Sequence, residues 1–218
     1  MPEFLTQEEL DALLAWPTPA ISNAIELFDI RPRNAGFMLP EIQCRFPNLK
    51  PMIGYAVTGV ITADSPGGHA VSRKEWWEEI EKFPKPRVVV LHDVDKPVVG
   101  SFWGEVNGNI HRALGCAGTV TDGSVRDLDE VEQIGFHFFS TCVTVSHAYV
   151  HMIDLGIPVK IGCRFCPLNC SCASETHLFW LSAGPQRPVS ECNRRHRAHT
   201  PAIGPLRRLR RSGKEYSR

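Results

Sequence analysis

The chain has 218 residues, of which 43% are hydrophobic and 22% are charged, and its formal net charge is zero. It is long enough for a real core, as one large domain or as a domain with an extension. It contains no run of eighteen apolar residues, and its start, "MPEFLTQEELDALL", is acidic and amphipathic. These features argue against a signal peptide or a membrane span and favour the cytoplasm.

Charge and cysteine are distributed unevenly along the chain. Residues 163–218 hold 11 of the 24 Lys and Arg residues and 3 of the 24 Asp and Glu residues, which is a net charge of +8. The 13 basic and 21 acidic residues that remain give residues 1–162 a net charge of −8. Five of the eight cysteines also follow Gly162. We therefore predict one domain over residues 1–162 and an atypical tail over 163–218.

The first half of the domain begins with two helices. Thr6 and Glu9 form a capping box ahead of an apolar stripe, and Thr18-Pro19 opens a second helix through "AISNAIELFDI". The next predicted elements are a strand "YAVTGVITA" (55–63), a helix "RKEWWEEIEKF" (73–83) and a strand "RVVVLHDV" (87–94). The last strand is continuously apolar and should be buried on both faces, with Asp93 and Asp95 forming a polar rim at its end.

The second half continues the alternation of helix and strand. A turn leads into a helix in "GEVNGNIHRALGC" (104–116), followed by a strand "AGTVTDG" (117–123), a helix "DLDEVEQIGF" (127–136) and a strand "FHFFSTCVTV" (136–145). A turn at residues 154–156 precedes "IPVKIG". Such alternation predicts an α/β domain.

Two glycine-led loops carry the chemistry that the sequence suggests. Residues 104–107 begin a helix, where unpaired backbone N–H groups favour an anion. Residues 122–127 follow the next strand, so both loops should reach one edge of the sheet, where ligands bind in α/β folds. Arg126 offers a planar fork for a carboxylate or an enolate oxygen, and Asp127 offers hard oxygens for Mg²⁺ or Mn²⁺. Alternatively, the pair is a capping Asp beside a surface Arg.

The stretch "GEVNGNIHRALGCAGTVTDGSVRDLDEV" resembles the family of class II 4-hydroxy-4-methyl-2-oxoglutarate aldolases and RraA-like proteins, the regulators of ribonuclease E. The motif of this family is an acidic residue, twenty intervening residues and Arg-Asp, which Glu105 and Arg126-Asp127 satisfy. Glu105 stands where the aldolases commonly carry Asp. "GYAVT", "HDVDKPVVGSFWGEVN" and "VSHAYVH" also resemble a bacterial branch of the family, so that the resemblance covers about residues 6–162.

The resemblance implies an α/β fold with a swivelling β/β/α domain, similar to phosphohistidine domains, and a homotrimer or hexamer with its site near a subunit boundary. It implies that the backbone of Gly104, Glu105, Val106 and Asn107 binds the carboxylate of a pyruvate-containing 2-oxo acid. Arg126 would contact that carboxylate and the keto oxygen, and Asp127 would bind Mg²⁺ or Mn²⁺.

Glu105 and Glu130 would hold metal-bound waters in the implied site, so that Arg126 and Glu105 are the predicted catalytic residues. The implied activity is aldol cleavage, or decarboxylation of oxaloacetate, through a metal-stabilised enolate. The family also implies an alternative, a non-catalytic regulator that binds a protein partner such as a ribonuclease.

The histidines give weaker signals. His147 and His151 are four residues apart and would share one face of a helix, as metal ligands do. Their β-branched surroundings favour instead a place at the rim or in the core, with a place on the lining of the site as the lesser alternative. His92 and His111 lie near the predicted rim, where they could relay protons. Three tryptophans are expected in the core or at subunit contacts, namely Trp76, Trp77 and Trp103.

The tail allows two further interpretations. "CRFCPLNCSC" suggests zinc or an iron–sulfur cluster, but it lacks a second Cys-x-x-Cys. "RRHRAHTPAIGPLRRLRRSGKEYSR" suggests nucleic-acid binding, but it lacks interleaved aromatic residues. We therefore do not expect a nucleic acid as a partner, and the lack of a long apolar run argues against a membrane partner.

A frameshift accounts for both the cysteine-rich stretch and the arginine-rich end of the tail. Members of the resembled family continue with a Gly-Gly-Leu strand, a Pro-Gly-Asp-Leu turn and an Asp-x-His-Gly hairpin, which this chain lacks. If the codons that could encode the chain from Gly162 onward are read one base earlier, they permit Gly-Leu-Pro-Val-Leu-Pro. This sequence is closer to the strand that the family members have here. We interpret residues from about 163 as disordered or as a frameshifted translation. Resequencing the gene tests this hypothesis, and one unbroken reading frame without a slip after codon 162 would refute it.

Overall fold

The computed structural model describes residues 4–29, 32–67, 71–162 and 178–181. The helices among these residues are α1 Gln7–Leu14, α2 Thr18–Glu26, α3 Arg73–Glu81, α4 Glu105–Ala113 and α5 Leu128–Gln133. The strands are β1 Gln43–Cys44, β2 Met52–Thr62, β3 Arg87–Asp93, β4 Ser101–Trp103, β5 Cys116–Thr121, β6 Ser124–Val125, β7 His137–Ser140, β8 Cys142–Val143, β9 His151–Leu155 and β10 Leu178–Leu181. The fold is mixed α/β, as the sequence predicts.

The strands form two sheets. The larger sheet has the order β1-β7-β5-β3-β2-β10, and its four central strands, from β7 to β2, are parallel. The outer edge of β2 is shared, because β10 pairs with its first half and β9 with its second half, both antiparallel. The smaller sheet, β4-β6-β8, is parallel throughout. Each of its strands follows a strand of the larger sheet, so the chain passes three times from one sheet to the other.

The larger sheet is buried on both faces. Along β3, Val89 and Leu91 join one apolar cluster, whereas Val88 and Val90 join another. This alternation puts the two clusters on opposite faces of the sheet. The continuous apolar run in "RVVVLHDV" therefore predicted the burial of this strand correctly.

The N-terminal capping box is also confirmed. The Thr6 backbone N–H donates to Glu9 Oε2 over 2.8 Å, and the Glu9 N–H donates to Thr6 Oγ1 over 3.3 Å. This pair satisfies donors that the first turn of α1 would otherwise leave without acceptors.

The short strands of the smaller sheet differ from the prediction. The single strand expected over 136–145 is two strands, β7 and β8, that belong to different sheets. Between them, Thr141 Oγ1 lies within hydrogen-bonding distance of the carbonyl oxygens of Asp122 and Gly123, at 3.0 and 2.8 Å. These contacts hold the chain where it crosses over. Strands of two or three residues are too short to show a period of hydrophobicity, so β4, β6 and β8 left no signal.

Most of the predicted tail lies outside the described residues, including all of its cysteines and its arginine clusters. Four of its residues, Leu178–Leu181, are described as β10, in antiparallel register with Met52–Tyr55. In the part of the chain that the structure describes, no helix has the length and apolarity needed to cross a membrane.

Two acidic residues at the end of β3 are buried, and the expected polar rim is therefore wrong. Asp95 accepts hydrogen bonds from Thr62 Oγ1 at 2.7 Å and from the Ala63 N–H at 2.6 Å. Asp93 Oδ1 accepts from the Asp95 N–H at 3.0 Å, but its Oδ2 has no hydrogen-bond partner among the described residues. Burial raises the pKa of Asp93 to about 6, and the charges of Asp95 and Asp122 add to the effect.

Asp93→Asn should stabilise the protein at neutral and alkaline pH. The pKa of Asp93 is higher in the folded state, so the wild type loses stability as pH rises from about 4 towards 6 and does not regain it above. The shift from 3.8 to about 6 corresponds to roughly 3 kcal/mol. Urea unfolding should show a stability gain for the variant that is largest near about pH 8 and shrinks below about pH 6.

The exposed Asp64 provides the control, because Asp64→Asn should change stability little at any pH. A gain for Asp93→Asn that does not vary with pH would contradict the assignment of a raised pKa to this buried carboxyl group.

Candidate functional site

The carboxyl ends of the three strands of the smaller sheet lie side by side. Gly104 follows β4, Arg126 follows β6 and Thr144 follows β8. The Arg126 N–H donates to the Trp103 carbonyl at 3.1 Å, and the Thr144 N–H donates to the Val125 carbonyl at 3.1 Å, so the strand ends are in register. Ligands of α/β proteins bind at this edge of a parallel sheet.

A cleft of about 480 Å³ opens at these strand ends. Its volume falls within the range of about 300–1,000 Å³ that is usual for small-molecule sites. The arginine and histidine side chains that line it are Arg73, Arg126, His147 and His151. No Asp or Glu is among the lining residues of the described chain, so the cleft suits an anion.

The first turn of α4 forms one wall of the cleft. Gly104 caps this helix, and Val106, Asn107 and Ile110 line the cleft with it. The N–H groups of the first turn of a helix have no acceptor within the helix. In α4, the Glu105 N–H donates to Asp127 Oδ2 at 3.0 Å, which leaves the N–H groups of Val106 and Asn107 for an anion.

Asp127 joins the second predicted loop to the first. It precedes α5 but makes no side-chain cap on that helix, because its carboxylate bonds the start of α4 instead. The interpretation of Asp127 as a cap of its own helix is therefore wrong. Its φ of 54° lies in the left-handed region, which is uncommon for a residue other than Gly. A Cβ on Gly104 would overlap Asp127 Oδ2, so the close contact between this carboxylate and the start of α4 requires glycine at residue 104.

Arg126 lies between the cleft and this carboxylate. Its Nε is 3.6 Å from Asp127 Oδ2, and its side chain is 34% exposed. The guanidinium therefore keeps donors for a ligand while its neighbour limits its movement. Of the predicted site residues, the structure brings Gly104, Val106, Asn107 and Arg126 to the lining of one cleft.

The predicted acidic residues lie beside the cleft. Glu105 and Glu130 are exposed, and neither is among the lining residues. No cluster of three His, Cys, Asp or Glu side chains that could hold a metal occurs within the described ranges. Asp127 Oδ1, however, bonds no described residue, and Mg²⁺ commonly takes only one or two protein carboxylates and keeps several waters. Asp127 therefore fits a hard divalent ion held mainly by water and substrate.

The four histidines considered in the sequence analysis separate into two groups. His111 is buried, its Nε2 accepts from Trp76 Nε1 at 2.8 Å, and burial lowers its pKa to about 4. It is neutral and enclosed, so the expectation of a proton relay at the rim is wrong for His111. His92 Nδ1 lies 2.8 Å from Asp122 Oδ2 and does not line the cleft. His147 and His151 do line it, from a turn and from the start of β9 rather than from a helix.

Arg73 is a charged lining residue that the sequence analysis missed. It is exposed, lies directly after the Ser72 cap of α3 and makes no hydrogen bond or ion pair with any described residue. A cation in the first turn of a helix opposes the helix dipole. Such a local conflict commonly marks a functional position, and it is the signal that could have identified Arg73 from the sequence.

The fold is shared with several solved structures. An uncharacterized protein from Pseudomonas syringae pv. tomato str. DC3000 is 23% identical with a TM-score of 0.55, over 74% of this chain and 70% of that one. Streptomyces coelicolor RraAS2, an unusual member of the RNase ES inhibitor RraA family, is 16% identical with a TM-score of 0.56, over 89% and 96%. A structure described under novel cellulases from gut-associated microbes is 18% identical with a TM-score of 0.61, over 75% and 72%. At these identities the likeness shows the fold alone.

Comparison with curated proteins finds no match. A family model described as RraA-like, Aldolase/RraA, matches residues 18–173, which is more than half of the chain and extends beyond residue 162. The family resemblance deduced from the Arg126-Asp127 motif is thereby confirmed: the chain belongs to the RraA-like (Aldolase/RraA) family.

Proposed function

We propose that the protein is a divalent-metal-dependent lyase that cleaves a pyruvate-containing 2-oxo acid to release pyruvate. The observation that carries this proposal is the convergence of Arg126 and the first-turn N–H groups of α4 on a cleft without lining acids. A 2-oxo acid presents a carboxylate and an adjacent keto oxygen, and the cleft offers donors for both.

The chemistry depends on where negative charge develops. The N–H groups of Val106 and Asn107 hold the carboxylate of the substrate, and Arg126 donates to the keto oxygen. When a carbon–carbon bond breaks, this oxygen becomes an enolate, so the guanidinium stabilises the transition state more than the ground state. Asp127 would hold Mg²⁺ or Mn²⁺, and such an ion would supply a Lewis acid for the same charge.

The second cation of the cleft indicates a substrate with two carboxylates. Trp76, one turn after Arg73 on α3, donates to His111 on α4, which holds the start of α3 near the second turn of α4. Arg126 lies at the N-terminal end of α4, where a Cβ added to Gly104 would be 3.2 Å from Arg126 Nε. The six residue-to-residue steps from Gly104 to Ile110 rise about 9 Å along the helix. Arg126 and Arg73 can therefore bind opposite ends of one small dianion.

A second candidate function is a non-catalytic regulator that binds a protein such as a ribonuclease. The observation that favours it is an exposed apolar surface at the end of α2, where Leu27 is 86% exposed and Phe28 is 74% exposed. Large exposed apolar side chains commonly mark protein contacts, so this surface would also suit the proposed homotrimer or hexamer. A regulator would capture a partner and release no pyruvate.

Arg126→Ala and Asp127→Asn should abolish most turnover without unfolding the protein. Loss of one preorganised donor to the enolate oxygen lowers kcat/KM by about 10²–10³-fold. A coupled assay with Mg²⁺ or Mn²⁺ measures pyruvate release from 4-carboxy-4-hydroxy-2-oxoadipate, its methyl analogue and oxaloacetate. Arg112→Ala, which removes an exposed arginine of α4 outside the cleft, serves as the matched control.

Three outcomes would contradict the lyase assignment. They are a wild type that releases pyruvate from none of the three acids, full activity in Arg126→Ala, and a loss of activity in Arg112→Ala as large as that in Arg126→Ala. A large fall in thermal stability of Arg126→Ala would instead favour a structural role for this side chain.

Arg73→Gln should weaken the binding of dianions selectively. A lost charge-assisted contact costs about 1.5–3 kcal/mol, which is roughly a 10–100-fold increase in Kd. Calorimetric titration should show this increase for 2-oxoglutarate but not for 2-oxopentanoate, which has the same chain length without the distal carboxylate. Lys74→Gln, beside Arg73 but outside the cleft, is the control. Equal weakening of both ligands would contradict the assignment of Arg73 to the distal carboxylate.

A further inference from the structure

We infer that His147 is the catalytic base of aldol cleavage, with Nε2 as the atom that takes the proton from the hydroxyl group of the substrate. This inference rests on the proposed function, since it assigns a further role within the same cleft. It concerns the step that Arg126 and Asp127 cannot perform, because a guanidinium and a metal-bound carboxylate stabilise charge but do not accept a proton near neutral pH.

A fixed turn presents His147 to the cleft. The Ser101 N–H of β4 donates to the Ser146 carbonyl at 3.0 Å, and the Ala148 N–H donates to Ser146 Oγ at 2.9 Å. The backbone carbonyl of His147 packs against Gly100, where an added Cβ would lie 2.6 Å from it. Ala148 has a φ of 46°, in the left-handed region that costs a residue with a Cβ free energy. Residues with a strained backbone persist only where the surrounding structure holds them, and such residues are often found at functional sites.

The hydrogen bonds of the ring determine which nitrogen is the base. Nδ1 of His147 lies 2.7 Å from the carbonyl oxygen of Ala148. A carbonyl oxygen only accepts, so Nδ1 carries the proton, and Nε2 of the neutral ring keeps its lone pair. Nε2 bonds no described residue, and the side chain is exposed on the lining of the cleft.

The other described groups near the cleft are less suited to this role. His151 is only 8% exposed, and its ring lies against Gly67, where an added Cβ would be 2.8 Å from Nε2. Nε2 of His111 already accepts a hydrogen bond from Trp76. Among the described lining residues there is no carboxylate that could act as a base.

The step balances without a further reactant. His147 Nε2 takes the proton of the hydroxyl group, whose oxygen then forms the carbonyl of the leaving product. The electrons of the broken carbon–carbon bond pass to the keto oxygen, where Arg126 stabilises the enolate. The protonated imidazole returns its proton to the enolate carbon, which gives pyruvate and restores the neutral ring.

Decarboxylation of oxaloacetate distinguishes the role of His147 as a base from the role of Arg126 in stabilising the enolate. Carbon dioxide leaves from a carboxylate that is already ionised, so its carbon–carbon bond breaks without a base. The same enolate forms and requires the same stabilisation. A variant without the base should therefore lose aldol cleavage and keep decarboxylation, whereas a variant without Arg126 should lose both.

The test compares His147→Gln with the wild type on two substrates, with pyruvate release as the common readout. Cleavage of 4-carboxy-4-hydroxy-2-oxoadipate should fall by about 10²–10⁴-fold, the usual contribution of a positioned base. Decarboxylation of oxaloacetate should stay within about threefold, which also shows that the variant is folded. Val145→Ala, in the same loop with a side chain that is 95% exposed and outside the cleft, should leave both reactions unchanged.

A second variant tests the chemistry of the base directly. His147→Ala leaves space for a free base, so added imidazole should restore part of the cleavage activity. Retained cleavage in His147→Gln, an equal loss of both reactions or a lack of imidazole rescue would each overturn the role of His147. A wild type that decarboxylates oxaloacetate but does not cleave the hydroxy acid would overturn it too. If the wild type releases pyruvate from neither substrate, the proposed lyase function fails together with the base.

Discussion

The hydrogen bond from the Glu105 N–H to Asp127 Oδ2 is the interaction on which the site depends. It ties the start of α4 to the residue before α5, across the ends of two parallel strands. The carboxylate lies at the positive end of the α4 dipole, where a negative charge is stabilised. That gain offsets the left-handed backbone of Asp127, and it fixes Arg126 beside the first turn of the helix. A Cβ at residue 104 would prevent the contact.

A network of hydrogen bonds and ring contacts on the inner side of α4 fixes the position of this helix. Asn107 donates through its side chain to the Phe102 carbonyl, and its own carbonyl lies 2.7 Å from His111 Nδ1. Because burial keeps His111 neutral, its second nitrogen can accept from Trp76. The ring of His111 also packs against Trp103, with centroids 4.7 Å apart. The N–H groups that face the cleft thus belong to a helix whose rotation and shift are restricted by satisfied polar contacts.

The strand ends of the two sheets carry side chains of opposite charge. At the ends of β3 and β5, Asp95 and Asp122 accept hydrogen bonds from backbone N–H groups and so hold the crossing between the sheets, whereas the burial of Asp93 has a cost in stability above about pH 6. At the ends of β4, β6 and β8, the cleft is lined by cations and histidines. A chain without net charge therefore presents a locally positive cleft, which favours a small anionic ligand.

The sequence determined the features that depend on neighbouring residues. The capping box of α1, the buried run of β3 and the spacing from Glu105 to Arg126-Asp127 are local patterns, and each led to an element or to the family. Periodicity and caps act within a few residues, so they can be recognised in one segment.

Tertiary structure alone decided which distant groups meet. Arg73 and His147 are 74 positions apart and line the same cleft, while Asp93, predicted at a polar rim, is enclosed. The short strands that arrange these ends carry no periodic signal of their own, because two or three residues gain their stability from partners far along the chain. Burial, hydrogen-bond partners and the charge of a cleft are properties of such long-range contacts, which a local pattern of residues does not specify.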